Sequence, residues 1–199
     1  MTLKFVVALF GLYFCPTLLA CRWANDWDGP LNFECGSDQF VSHIESDHRN
    51  DKEDRRYKMC CRQTPRYVKF ETTRCHWTDY LNNYDEFLTF TCGNSGYING
   101  FKSIHSNHHE DRKWKIRCCT VQGLYLPSHE FTFTGWTNNW DGHQDFTTQH
   151  NHITAGVWSE HSNHHEDRRW NYLVCRPSRS TLTNILQRQN DTSLYVEQN

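Results

Sequence analysis

An all-β body built on a pseudo-threefold repeat is the fold class this sequence predicts, and three observations predict it. The polar segment Ser46–Arg55 (SDHRNDKEDR) recurs at Ser103–Arg112 (SIHSNHHEDR) and at Ser159–Arg168 (SEHSNHHEDR), at offsets of 57 and 56 residues. Such self-similarity at a fixed period marks a repeat architecture. Between the copies run short alternating segments rich in aromatics and bounded by Gly, Ser and Asn, the pattern of strands and turns, with no helical stripe before the tail. Cysteines recur in the same register and point to staples within the units. Four strands per unit give roughly twelve in all, arranged as a trefoil or a prism. Three separate domains of this size would each bury too little surface, so one body of three units is expected.

In chain order, residues 1–20 read as a secretory signal: Lys4, the apolar run Phe5–Phe14 (FVVALFGLYF), the breaker Pro16 and the small residue Ala20 before cleavage. The repeat body occupies residues 21–176, with units at about 21–74, 75–133 and 134–176. Each unit opens on a Trp (Trp23, Trp77, Trp136) and a turn, Asn25–Asp28, Asn82–Asp85 or Asn138–Asp141. A short strand follows, Leu31–Cys35 in the first unit and Leu88–Cys92 in the second. The next strand begins at Phe40, Tyr97 or Ile153 and leads into the polar segment, read as a loop. A closing strand carries Tyr57, Trp114 or Trp170 at one shared position. From 177 to 199 the sequence is polar and Pro/Ser-led, a flexible tail whose Asn190-Asp191-Thr192 is a glycosylation sequon.

Composition narrows the function. The 199 residues carry 21 Lys and Arg against 23 Asp and Glu, a net charge of −2, which excludes a nucleic-acid binder driven by bulk charge. Aromatics at 15% exclude a wholly disordered chain. Ten cysteines fit an oxidising, extracellular compartment. Cys35 is equivalent to Cys92 and Cys61 to Cys118, each pair closing an interval of 26 residues, 61 − 35 and 118 − 92. Cys21 and Cys75, each two residues before a Trp, are left for Cys60 and Cys119. The expected bridges are therefore Cys21–Cys60, Cys35–Cys61, Cys75–Cys119 and Cys92–Cys118, with partners inside each doublet exchangeable. The third unit has Thr134 at the place of Cys75 and Gln149 at that of Cys92. Cys175 is then unpaired or free to link a homodimer. Adjacent Cys doublets lack the C-x-x-C spacing with which two thiolates grip zinc.

The segments Asp111-Arg112-Lys113-Trp114 to Cys118-Cys119 and Asp167-Arg168-Arg169-Trp170 to Cys175, with the Asn-x-aromatic-Asp turns, resemble the dermatopontin family. The Asn-His-His-Glu-Asp-Arg form at 107–112 and 163–168 is similar to its haemagglutinin/amebocyte aggregation factor-like branch. The resemblance spans about 21–176. It implies a secreted, non-enzymatic protein that organises matrix or collagen fibrils and adheres to proteoglycans and cell surfaces. The alternative it implies is a soluble glycan-binding agglutinin of cell aggregation or innate defence. The chain lacks the family's Tyr-rich acidic N-terminal segment and has no Arg-Gly-Asp, so neither of those contacts carries over.

The residues themselves support binding over catalysis. Three near-identical copies do not make one asymmetric active site, and no Gly-x-Ser-x-Gly, phosphate loop or His-Glu-x-x-His occurs. Asp54-Arg55, Asp111-Arg112 and Asp167-Arg168 read as ion pairs or turn caps, and Trp114 and Trp170 as core. The candidate glycan contacts are His105, Asn107, His108 and Glu110 in the second loop, and His161, Asn163, His164 and Glu166 in the third. Their amides and carboxylates bond hydroxyls, and their imidazoles favour sulfated glycans near pH 6. The first loop departs, with Asp51 and Lys52 in place of two histidines. No cofactor is required. Calcium through Glu and Asp, or zinc or copper through His105, His108 and His109, are the metal readings, and the sequence does not choose between them.

Overall fold

Alternation becomes strand where one face can be buried. In the computed structural model, which describes residues 21–36, 38–64, 73–93, 95–121 and 124–179, Leu31–Glu34 reads buried, exposed, buried, exposed. The expected signal segment, the sequon at Asn190 and the tail beyond Arg179 lie outside these residues.

The first unit holds β1 (Arg22–Trp23), β2 (Leu31–Glu34), β3 (Gln39–Arg49) and β4 (Asp54–Gln63). The second holds β5 (Thr73–Trp77), β6 (Leu88–Thr91), β7 (Gly96–Ser106) and β8 (Asp111–Val121). After β9 (Leu124–Tyr125) and a single 3-10 turn, Ser128–Glu130, the third holds β10 (Phe131–Trp136), β11 (Gln144–Thr147), β12 (Ile153–Ser162) and β13 (Asp167–Cys175). β14 (Ser178–Arg179) pairs with β9, so the first residues assigned to the tail belong to the body.

The units are interlocked. Each long hairpin, β3–β4, β7–β8 or β12–β13, takes its own unit's first strand on one side. On the other side it takes a short strand from the preceding unit. β2 of the first unit lies on β7, β6 of the second lies on β12, and β11 of the third closes the circle on β3. The result is three antiparallel four-stranded sheets, the prism-like alternative, with β3, β7 and β12 touching one another around the axis. The exchanged strands pack so tightly that a Cβ on Gly100 would stand 2.6 Å from the Phe33 carbonyl oxygen, and one on Gly156 2.7 Å from that of Phe90. No side chain fits there.

On the axis, Tyr57, Trp114 and Trp170 meet edge to face, with centroids 4.8 to 6.1 Å apart, and the Trp170 indole donates to the Tyr57 hydroxyl at 3.1 Å. Aromatic rings thus supply the burial that scarce aliphatics do not. A second cluster, including Phe40, Tyr97, Leu126, Ile153 and Cys175, closes the opposite end.

Among the described residues, four disulfides join Cys21 to Cys60, Cys35 to Cys61, Cys75 to Cys119 and Cys92 to Cys118. The strand register corrects three equivalences read from the sequence. The backbone N–H groups of Ala24, Leu81 and Thr137 donate to the carbonyls of Tyr57, Trp114 and Trp170, so Trp23 and Trp136 correspond to Tyr80, not Trp77. Phe131 faces Cys175 as Cys75 faces Cys119, so Phe131 and not Thr134 fills the place of Cys75. The N–H groups of Cys35, Cys92 and Thr148 donate to Asn99, Ala155 and Ser42, so Thr148 and not Gln149 fills that of Cys92. Cys175 is fully buried, its thiol against the Pro127 carbonyl, which turns it away from a second chain.

Candidate functional site at the turn end of the hairpins

The turn motif is a clamp. Asn25, Asn82 and Asn138 are buried, and each side chain donates to the carbonyl of the repeat Arg (2.8, 2.9 and 2.9 Å) while accepting the N–H two residues further on. Each clamp ties its turn to the start of its unit's closing strand. The residue three positions after it, Asp28, Asp85 or Asp141, adopts a positive φ of 57 to 65° and directs its N–H onto the repeat Asp at 2.8 to 2.9 Å. Asp tolerates that conformation better than most side chains.

The repeat Asp and Arg residues form a closed ring between units, not pairs within them. Arg112 binds Asp54 with Nε and Nη2 at 2.7 and 2.6 Å, Arg168 binds Asp111 at 2.6 and 2.6 Å, and Arg55 binds Asp167 at 2.5 and 2.7 Å. Every member is buried. Bidentate geometry and the added turn N–H satisfy carboxylates that would otherwise be costly to bury. The same guanidinium groups reach the carbonyls of Gly29, Glu86 and Gly142, fastening each unit to the turn of its predecessor.

Above the ring the hairpin tips place Glu53, Glu110 and Glu166, all at φ 44 to 45°, around a cavity of about 20 Å³. Loss of water contact is the main cause that holds the Glu110 and Glu166 carboxyls above their ordinary range. The neighbouring carboxylates add to it, and His105 and His161 oppose it.

The expected loop residues divide into two sets. His105 and His161 lie on β7 and β12 rather than in loops, and their side chains are 1% and 0% exposed, so they face the protein and not a surface ligand. Glu110 and Glu166 likewise turn inward, 3.6 and 3.8 Å from those imidazoles. Asn107, His108, Asn163 and His164 are exposed at the tips. His48 is the first unit's counterpart of His105, and alternation alone did not reveal it because the polar segment read as loop. Three groups, Asp28–Asp54–His105, Asp85–Asp111–His161 and His48–Asp141–Asp167, each bring an imidazole and two carboxylates within 4.8 Å, a set able to hold a cation.

A second threefold feature faces outward. Arg56 lies over Trp23 and Trp27 at 4.4 and 5.6 Å, and Arg169 over Trp136 and Trp140 at 4.5 Å each. In the second unit Lys115 and Lys113 lie over Tyr80 and Tyr84 at 4.6 and 4.7 Å. Trp23, Tyr80 and Trp136 remain 42%, 45% and 37% exposed. Reading the register from Tyr80 rather than Trp77 would have exposed this equivalence. In the third unit Trp158 and Phe133 extend the aromatic surface, the Trp158 ring 5.5 Å from that of Trp136. No helix among the described residues is long and apolar enough to cross a membrane.

A family model described as Dermatopontin matches residues 25–179. The chain is 42% identical over 169 residues to the Hemagglutinin/amebocyte aggregation factor of Limulus polyphemus, covering 85% of this chain and 95% of that protein. It is 29% identical over 153 residues to Millepora cytotoxin-1 of Millepora dichotoma, 76% of this chain and 65% of that one. To the Dermatopontin of Biomphalaria glabrata it is 26% identical over 147 residues, 74% of this chain and 95% of that one. No solved structure matches.

Proposed function

Because the chain belongs to the dermatopontin family, we propose that it is a secreted, non-enzymatic adhesion protein that aggregates cells by holding their surface glycans at three aromatic–cation clamps. One observation carries this reading: the clamp of Trp23, Tyr80 or Trp136 with its Arg or Lys recurs three times on one chain. The part of each half-exposed ring that its cation leaves uncovered packs against the apolar patches of a sugar, and the cation lying over the ring bonds hydroxyls, carboxylates or sulfates. Three modest sites on one chain gain by avidity, which is what agglutination needs. The 42% identity to a protein named for hemagglutination and amebocyte aggregation, over 95% of its length, supports this class. The exposed tips at Asn107, His108, Asn163 and His164 would add hydrogen bonds and a proton-sensitive charge.

A second reading, organisation of matrix or collagen fibrils, is favoured by the family match itself, although identity to the Biomphalaria and Bos taurus dermatopontins is 26% and 25%. A glycan array and co-sedimentation with collagen fibrils separate the two. The aggregating role predicts array binding that is lost when all three clamps are removed. Collagen co-sedimentation without any glycan signal would favour the matrix role.

A further inference from the structure

On the outer face of two of the long hairpins, cations and carboxylates stand opposite one another. In the first unit Lys58 faces Glu45 and bonds it at 2.9 Å, and Arg56 faces Asp47. In the third, Arg169 faces Glu160 and pairs with it. The second unit breaks the pattern, because Lys115 faces Lys102 and Lys113 faces Ile104. Among the described residues, none of these three lysines makes an ion pair. Like charges directly opposite on antiparallel strands repel. Lys102 lies over Trp77 at 4.3 Å, as Lys115 lies over Tyr80 at 4.6 Å. Beside them runs a groove of about 410 Å³, walled by Trp77, Tyr80, Lys102, Lys115 and Ile104, with Asn32 of the exchanged strand β2 along one side. Its size falls among ligand pockets, which run to roughly 300–1,000 Å³. The other units cannot repeat it. Glu45 takes the place of Lys102 in the first, and in the third Trp158 takes that place and lies against Phe133.

We propose that this groove makes the second clamp the charge-selective one: it takes a sugar that carries a sulfate or a carboxylate, and Lys102 facing Lys115 sets that preference. The inference rests on the reading of the clamps as glycan sites and names the ligand class of one of them. The apolar patches of the sugar pack against the uncovered parts of Trp77 and Tyr80, with Ile104 alongside. Its acidic group lies between the two ammonium groups. There it removes their mutual repulsion and accepts charge-assisted hydrogen bonds from donors that no carboxylate of the chain engages. Lysine suits this task as a compact point charge with three N–H donors. The same anion brought to the first or third clamp meets Glu45 and Asp47, or Glu160, on the facing strand and is repelled.

The test measures binding of the disulfide-bonded chain to one galactose-terminated oligosaccharide in three forms: neutral, O-sulfated and sialylated. The wild type should bind at least one acidic form roughly tenfold more tightly than the neutral form, and added salt should erase the difference. Lys102→Glu restores the carboxylate that the first unit carries at this place. It should abolish the preference while leaving neutral binding and the melting curve as they are. Lys102→Gln, which removes the charge without reversing it, should lose most of the preference. Lys58→Gln, in the first unit, should lose none of it. A folded Lys102→Glu chain that still prefers the acidic form would overturn the proposal. So would a wild type that binds the neutral form as tightly as both acidic ones, an outcome that leaves the clamps standing as glycan sites. Failure to bind any glycan of an array would overturn the clamp reading and this proposal with it.

Discussion

At the scale of single residues, the ring of Asp54, Asp111 and Asp167 with Arg112, Arg168 and Arg55 decides whether the units stay together. Each pair spans two units, so one substitution loosens an interface rather than a loop. Asp111→Asn leaves the Arg168 guanidinium buried against an uncharged partner, and urea unfolding should show a loss of about 3–5 kcal/mol. A loss below about 1 kcal/mol would mean that the ring is electrostatically idle. Pairing of Asp with Arg was legible from the repeated dipeptide, because those residue types answer each other. That the partners belong to different units was not, since local sequence does not reveal which strand is exchanged. Cys175 offers a second residue-scale check. Burial pushes its thiol up to about 11, and the charge of Glu130 adds to this. A thiol whose folded pKa is raised favours folding equally at all pH values below its ordinary 9.0 and withdraws that support as pH climbs toward 11. Wild type should therefore lose stability across that alkaline window more steeply than Cys175→Ala, and in the folded state it should resist thiol reagents near neutral pH. Rapid labelling of native protein would contradict the buried placement.

At the scale of elements, the three hairpins were readable because alternation and turn residues recur at one offset. The closing strands could be placed from Tyr57, Trp114 and Trp170 alone. Strand length was not readable. Ser103 to Ser106 is polar enough to pass for loop, yet β7 continues through it because the neighbouring unit buries His105. The misplaced Trp77 has a similar cause. Cys21 and Cys75 each stand two residues before a Trp, which draws Trp77 into the place of Trp23, and only the hydrogen bonds of Ala24, Leu81 and Thr137 set the register. That register makes a prediction. Thr148 and Val174 occupy the places of Cys92 and Cys118, and their separation, 174 − 148, equals the 26 residues of the two inner bridges. Introducing Thr148→Cys and Val174→Cys in a Cys175→Ala background should create a third inner disulfide and add about 3 kcal/mol of stability. Peptide mapping and thermal melts check it. A pair that stays reduced under oxidising conditions would show that the third unit departs from the other two here.

At the scale of the whole molecule, head-to-tail exchange of β2, β6 and β11 turns three similar sequences into one closed body and repeats every surface three times. The inward copies build the ring of Asp and Arg, and the outward copies build the clamps. Aromatic rings therefore serve twice, as the axial core at Tyr57, Trp114 and Trp170 and as the outer surface at Trp23, Tyr80 and Trp136. The most direct test is agglutination titre measured on cells with a graded series: Trp23→Ala, Tyr80→Ala and Trp136→Ala singly, in pairs and together. Folding of each variant is checked by its disulfide pattern and melting curve. The titre should fall by roughly tenfold with each clamp removed, because each loss lowers the avidity of the whole, and the triple variant should remain folded and inactive. A folded triple variant that agglutinates as well as wild type would contradict the account.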